Sequence, residues 1–192
     1  MSSITSVSPR TLADAIPGGL ARNVALVLGG AGFVGIAAQL AVPLPFTPVP
    51  LTLQTFAVLL TVSVLGSRRG LLSMGLYLVA GAAGVPWFAG GSSGFTSASF
   101  GYIVGFVLAA LVVGHLAARG ADRTPLKAAG LMVLGNLAIY AVGVPWLMVI
   151  AHLSLPTALA LGVVPFLIGD AIKIAVAAGV LPAAWKVINS RR

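Results

Sequence analysis

The sequence predicts an all-α integral membrane protein with six transmembrane helices and both termini in the cytoplasm, and three observations carry that prediction. Of 192 residues, 59% are hydrophobic and only 7% are charged, with a mean hydropathy of +1.09. Ordinary soluble domains carry about 25% charge. The charges are also clustered, leaving uncharged runs at 23–67, 70–118 and 128–169. Each run is about twice the roughly 20 residues that one spanning helix needs, so each should fold back once as a helix pair. Finally, stretches such as Ala57-Val58-Leu59-Leu60 and Leu76-Tyr77-Leu78-Val79 do not alternate apolar with polar residues, as the strands of a transmembrane barrel would.

Residues 1–22 form a polar cytoplasmic segment, and the apolar run after them is longer than the 7 to 15 residues of a signal-peptide core, so it reads as an uncleaved first span. The six helices are expected at 23–41, 52–66, 71–85, 100–118, 128–150 and 165–187, within one substrate-binding membrane domain at 23–188 and ahead of a short tail at 189–192. Pro165 is expected as the first residue of the sixth helix, because the 33 residues from Leu153 to Trp185 would reach about 50 Å as one straight helix against a hydrocarbon core of about 30 Å. Arg10 and Arg22 precede the first span, Arg68 and Arg69 lie between the second and third, and Arg119, Arg123 and Lys127 lie between the fourth and fifth. Lys186, Arg191 and Arg192 close the sixth. The connections at 42–51, 86–99 and 151–164 carry no charge, which places them outside by the positive-inside rule. The net charge of +8 is therefore a statement of topology, and no nucleic-acid partner is expected.

The uncharged connections hold distinctive chemistry. Residues 42–51, VPLPFTPVPL, contain four prolines that remove backbone donors and stiffen an extended segment, a lid or wall over the outer surface. Residues 84–101, GVPWFAGGSSGFTSASFG, are small and glycine-rich, so their backbone can approach a ligand and form an anion-binding nest. Trp87 and Trp146 are expected in the outer aromatic belt, where either could close over an apolar ligand.

Several motif matches carry little. Gly30-Ala31-Gly32-Phe33-Val34-Gly35 fits a dinucleotide pattern, but no acidic residue follows at the required spacing. Inside a helix, Ala25 with Gly29 and Ala31 with Gly35 are small pairs suited to close helix packing, within the bundle or against a partner. Gly91-Ser92-Ser93-Gly94 contains a string used by intramembrane serine proteases, with His152 as a conceivable base; a serine hydrolase using Ser93 is a poor alternative because such tetrapeptides are common in glycine loops. A subunit that binds nothing and serves only assembly is the other alternative. With no GxxxxGK[ST] loop, the chain does not cradle ATP phosphates in that way, and the absence of cysteine removes thiolate chemistry.

Two charges break the clustering. Asp170 and Lys173 lie three apart within the sixth span, where a charge at the membrane centre costs roughly 2.5 to 3.5 kcal/mol on insertion scales. Packing alone does not require such a pair, so they head the candidate site, although mutual neutralisation is the structural alternative. Gln54, Tyr77, Tyr102, Asn136 and Tyr140 are polar or amphipathic groups in apolar helices, each explicable singly as an interhelical bond or interface anchor.

PVPLTLQTFAVLL at 48–60, GVPWFAGG at 84–91, FGYIVGF at 100–106, GNLAIYAVGVPWL at 135–147 and PFLIGDAIKI at 165–174 occur in this order, and together they resemble the BioY family, the biotin-binding S components of energy-coupling factor transporters. The resemblance covers nearly the whole chain. It implies a non-enzymatic membrane subunit of the prokaryotic cell membrane that captures biotin from outside, with no cofactor of its own. It also implies a partner module of one transmembrane coupling protein and two ATPase subunits; a subunit for another small vitamin or precursor keeps the same architecture. Ser97-Ala98-Ser99-Phe100-Gly101-Tyr102 stands where the family often has a glycine-proline-threonine-glycine-glycine-tyrosine string, and Ser92 and Ser93 stand where some members place an arginine. Asp170 has the acceptors for the ureido N–H groups of biotin, and Asn136 or Gln54 can donate to its carbonyl. Lys173, the start of the sixth helix and the N–H groups around Gly91, Ser92 and Ser93 are the available partners for its carboxylate. The apolar body of the ligand is expected against rings such as Tyr77, Trp87, Tyr102 and Tyr140.

Overall fold

The computed structural model describes residues 10–190; the predicted basic residues Arg191 and Arg192, and the first nine residues of the expected N-terminal segment, lie outside this range. The protein is all-helical apart from one two-residue strand pair: α1 (Leu20–Gln39), β1 (Ala41–Val42), β2 (Leu51–Thr52), α2 (Gln54–Ala82), α3 (Phe100–Ala118), α4 (Pro125–Ile150), α5 (Leu155–Gly162) and α6 (Leu167–Ser190). Helix α1 packs on α2, α2 on α3, α3 on α4 and α4 on α6, around a core that includes Met74, Tyr77, Phe106 and Leu131. Five helical stretches among the described residues are long and apolar enough to cross a bilayer. Leu28, Ile36, Leu72, Val79, Val149 and Ile172 are each more than half exposed, an apolar exterior of the kind a hydrocarbon solvent accepts.

Helix α2 is two limbs. Gly66 breaks it with φ 76° and ψ 178°, a conformation essentially restricted to glycine. A Cβ built on Gly70 would lie 3.3 Å from Val62 Cα, whereas eight residues of continuous helix would separate them by about 12 Å, so the chain reverses at this turn. The basic pair Arg68 and Arg69 sits just after it. Gly114 of α3 meets the same turn, where a Cβ would fall 2.5 Å from the Ser67 backbone nitrogen. The N-terminal segment also ends here: Thr11, Leu12 and Ala13 are buried, Thr11 abuts Gly66, and Asp14 pairs with Arg69 at 2.9 Å. At this end, too, Trp185 of α6 donates its indole N–H to Asp122 in the α3–α4 turn at 2.7 Å.

The opposite end carries β1–β2, the 83–99 loop and α5. The strands pair antiparallel, Ala41 with Thr52 and Val42 with Leu51, so the proline-rich segment leaves and returns as one excursion. Thr47 anchors it by donating its hydroxyl to the Leu161 carbonyl at 2.8 Å. Two expectations are corrected in the 151–166 region. The connection at 151–164 contains helix α5, started by Ser154 and Pro156, and Pro165 lies in a 3-10 turn, Val164–Phe166, just before α6. The chain solves the excess length by bending at Val163 instead of starting the last helix on the proline.

The dinucleotide-like glycines lie wholly inside α1. Ala31 and Gly35 face inward, with Gly35 against Trp87 and Tyr77, while Ala25 and Gly29 are exposed and a Cβ on Gly29 would meet nothing within 4 Å. The two small-residue pairs thus serve different surfaces.

Candidate functional site

A cavity opens at the hairpin end between the proline-rich segment, the first turns of α2 and α3, and helices α4 and α6, with about 490 Å³ of free space including its mouth. Val49, Pro50, Ile103, Phe106 and Phe166 supply apolar walls, and the polar groups are Thr52, Gln54, Thr55, Ser99, Tyr102, Tyr140, Asp170 and Lys173. The proline-rich excursion is therefore a wall of the site.

The polar groups converge because each helix contributes one turn. Asp170 is the first acidic group of α6, one turn from its start, and the helix N-terminus favours the anion. It is 5% exposed. Its Oδ2 accepts the Tyr140 hydroxyl from α4, and its Oδ1 lies 3.4 Å from Lys173 Nζ. Lys173 also donates to Thr55 Oγ1 of α2 at 2.9 Å. An ionised carboxylate has about four acceptor positions, so Asp170 retains capacity for further donors from a ligand. The Tyr102 and Tyr140 rings meet edge to face, 6.3 Å apart at 89°, and form an aromatic corner beside the carboxylate. Tyr102 is held by donating its hydroxyl to the Gly162 carbonyl at 2.9 Å. Side chains are excluded around it: a Cβ on Gly143 would stand 2.5 Å from its ring.

Of the residues singled out in the sequence, Gln54, Tyr102, Tyr140, Asp170 and Lys173 come together on this cavity. Asn136 does not line it; it borders a smaller void with Thr55 and Lys173. Tyr77 is fully buried behind the wall, accepting from Gln54 Nε2 at 2.8 Å and donating to the Trp87 carbonyl at 3.0 Å. Trp87 stacks on Tyr77 at 5.0 Å and donates its indole N–H to the Tyr77 carbonyl, so it braces the loop instead of facing the cavity. Trp146 likewise donates inward, to the Ser97 carbonyl.

In the glycine loop, the amide groups of Phe88, Gly91 and Gly94 are already engaged. Gly91 N–H donates to Gln39 Oε1, Phe88 N–H to the Ser92 carbonyl and Gly94 N–H to the Gly81 carbonyl. The Ser92 hydroxyl donates to the Ala89 carbonyl, and Ser92 and Ser93 are exposed and do not line the cavity, to which this loop contributes Ala89 and Ser99. No hydrogen bond joins Ser93 to His152 among the described residues, so a nucleophile–base pair is not assembled. Two contributors escaped the sequence reading. Gln39 clamps the loop, its amide reaching the Gly35, Trp87 and Phe88 carbonyls as well as Gly91; the available signal was a lone amide closing an apolar span. Thr55 was hidden because a threonine beside Gln54 at a helix start reads as a local capping residue.

The profile of the BioY family matches residues 5–190. The chain is 40% identical over 140 residues to the biotin transporter BioY of Thermotoga maritima, covering 71% of this chain and 81% of that one. It is 36% identical over 154 residues to the biotin transporter BioY2 of Lactococcus lactis, covering 79% and 83%. The fold matches the crystal structure of an S component for biotin from an ECF-type ABC transporter, with a TM-score of 0.78 at 24% identity over 86% of this chain and 92% of that one. Matched from end to end by one family profile and by its members across most of their length, this chain belongs to the BioY family.

Proposed function

We propose that this protein is the biotin-capturing S component of an ECF-type transporter, a membrane subunit that performs no chemistry on its ligand. The observation that carries the reading is the buried Asp170 with the half-buried Lys173 and Tyr140, a cluster facing a cavity with apolar and aromatic walls. Biotin needs acceptors for two ureido N–H groups, a donor for the ureido carbonyl and an apolar sleeve for its thioether ring and chain. Asp170 supplies the first, Lys173, Thr55 or Gln54 the second, and Val49, Ile103, Phe106 and Phe166 the third. Because the Gly91 and Gly94 amides are engaged internally and Ser92 and Ser93 do not line the cavity, the carboxylate of the ligand is assigned to the cavity mouth between the proline-rich wall and Ala89. The names of the relatives support the same ligand.

In the bilayer, α1, the two limbs of α2, α3, α4 and α6 make six spans. Both termini, the Gly66 turn and the basic α3–α4 turn face the cytoplasm, and the cavity opens outward in a prokaryotic cell membrane. The membrane domain is 23–188, between a cytoplasmic N-terminal segment and a short tail. Transport requires a transmembrane coupling protein and two ATPase subunits, and the exposed Ala25–Gly29 face of α1 is assigned to that contact. Equilibrium binding of radiolabelled biotin to the purified chain, with a competitor panel of other vitamins, tests the reading. Saturable binding that only biotin and its close analogues displace is the expected result, and a different vitamin displacing it better would replace the assignment.

A further inference from the structure

One helical turn deeper than Tyr140, α4 presents Asn136 to a second, smaller cavity that shares Thr55 and Lys173 with the main one. Leu59 and Met132 provide apolar walls, and the space for the centre of a water-sized sphere is about 10 Å³. That is the size at which a cavity holds one water and nothing larger, the threshold being about 10–15 Å³. Asn136 is 8% exposed, and its amide has no hydrogen-bond partner in the protein among the described residues, while keeping some accessible surface, unlike the sealed Asp122 Oδ1. Buried amides are nearly always paired, because leaving one unsatisfied carries a full desolvation cost. The other two polar groups have capacity left: Lys173 has three N–H donors, of which Asp170 and Thr55 take two, and the Thr55 hydroxyl accepts from Lys173 with its own proton uncommitted. A cation is disfavoured by the Lys173 ammonium, and an apolar occupant would leave the amide unpaired.

We infer that this cavity holds one ordered water that joins Asn136 to the Lys173–Thr55 pair. The water oxygen accepts from Lys173 or Thr55, and the water donates to Asn136 Oδ1. Asn136 is then a positioning residue: it acts on the ligand site through the water, by holding the Lys173 ammonium at the cavity floor, and does not touch the ligand. The consequence for affinity rests on the biotin reading above, whereas the water itself does not.

The test combines a high-resolution crystal structure of the full chain with biotin binding by three variants. The wild-type structure should show a water within hydrogen-bond distance of the Asn136 amide and of Lys173 or Thr55. Met132→Phe fills the cavity from its apolar wall while keeping every polar group, and Asn136→Leu removes the amide while keeping its branched shape. Both should weaken biotin roughly tenfold, the loss expected for a hydrogen bond to a charged group. Asn136→Ser, which restores a polar group and admits a second water, should stay within about threefold of wild type. An empty cavity in the wild-type structure overturns the inference whatever the variants do. So does unchanged affinity in stably folded Met132→Phe and Asn136→Leu, or an Asn136 amide bonded directly to biotin. Wild-type protein that shows the water but binds no biotin would reject the functional assignment and leave the water site standing.

Discussion

Asp170 and Lys173 are a structural pair and, in the proposed function, also the recognition floor, and substitutions separate the two roles. Removing one member of a buried ion pair typically costs about 3 to 5 kcal/mol, so single variants risk losing binding by losing the fold. Asp170→Asn keeps the size but presents donors where the ureido N–H groups need acceptors, and it should weaken biotin strongly in protein that still folds. Asp170→Asn with Lys173→Met removes both charges; thermal unfolding should recover while radiolabelled biotin binding stays poor, and wild-type affinity in that double variant would reduce the pair to structural glue. Two other carboxyls, outside the spans, should shape stability with opposite signs. Burial works to raise the Asp14 carboxyl, but the Thr11 backbone N–H and the Arg69 contact outweigh it and hold it below its ordinary value. Its contribution is present above the ordinary carboxylate range and lost as pH falls through the lowered value. Asp122 is fully buried, with Oδ1 unpaired, and burial pushes its carboxyl up despite the Trp185 indole and Arg123. Its folded form binds the proton more tightly, so stability declines as pH rises from the unfolded value through the folded one. Asp122→Asn keeps an acceptor for Trp185, and its melting temperature relative to wild type should rise between pH 4 and pH 8. A constant difference across that range would refute the assignment.

At the scale of elements, glycines decide where helices end and how closely they pass. Gly66→Ala forces a side chain into φ 76° and places its Cβ 2.8 Å from Thr11 Cγ2, so it should destabilise the protein by about 1–3 kcal/mol in denaturant titrations and loosen the N-terminal segment. The two small pairs of α1 should respond oppositely. Gly35→Leu drives a side chain between Trp87 and Tyr77, removing the support of Gln54, and should lower both melting temperature and biotin affinity. Gly29→Leu meets open space and should leave both unchanged while weakening co-purification with the coupling module. Biotin binding lost in Gly29→Leu would place the partner face elsewhere. Gln39 belongs to this scale too, since one amide at the end of α1 ties the glycine loop to the bundle.

For the whole molecule, the proposed orientation rests on charge. The N-terminal segment, the Gly66 turn, the Asp122 turn and the end of α6 share one end of the bundle, and the cavity mouth lies at the other. Single cysteines at Ser67 and Gly120 should be shielded from an impermeant thiol reagent in intact cells, while one at Ser92, exposed beside the mouth, should react. Labelling of Gly120 from outside would invert the topology.

The helical class, the long apolar helices, the family and the pairing of Asp170 with Lys173 are legible in the chain before any folding is considered. Those features depend on local composition and on i, i+3 spacing, which a linear chain displays directly. Tyr102, Tyr140 and Gln54 were legible as polar groups out of place, but their shared destination was not. Only long-range packing sets that Thr55 holds Lys173, that Gln39 engages the Gly91 amide and the Trp87 and Phe88 carbonyls, that Trp87 and Tyr77 brace a wall, and that Asn136 borders a separate void. Each of these depends on helix rotation and long-range approach, such as the 118 residues between Thr55 and Lys173, and no local pattern encodes which face of one helix meets which face of another. The short helix α5 was hidden for the same reason: eight residues ending in glycine are marginal alone and gain their order from packing on α4.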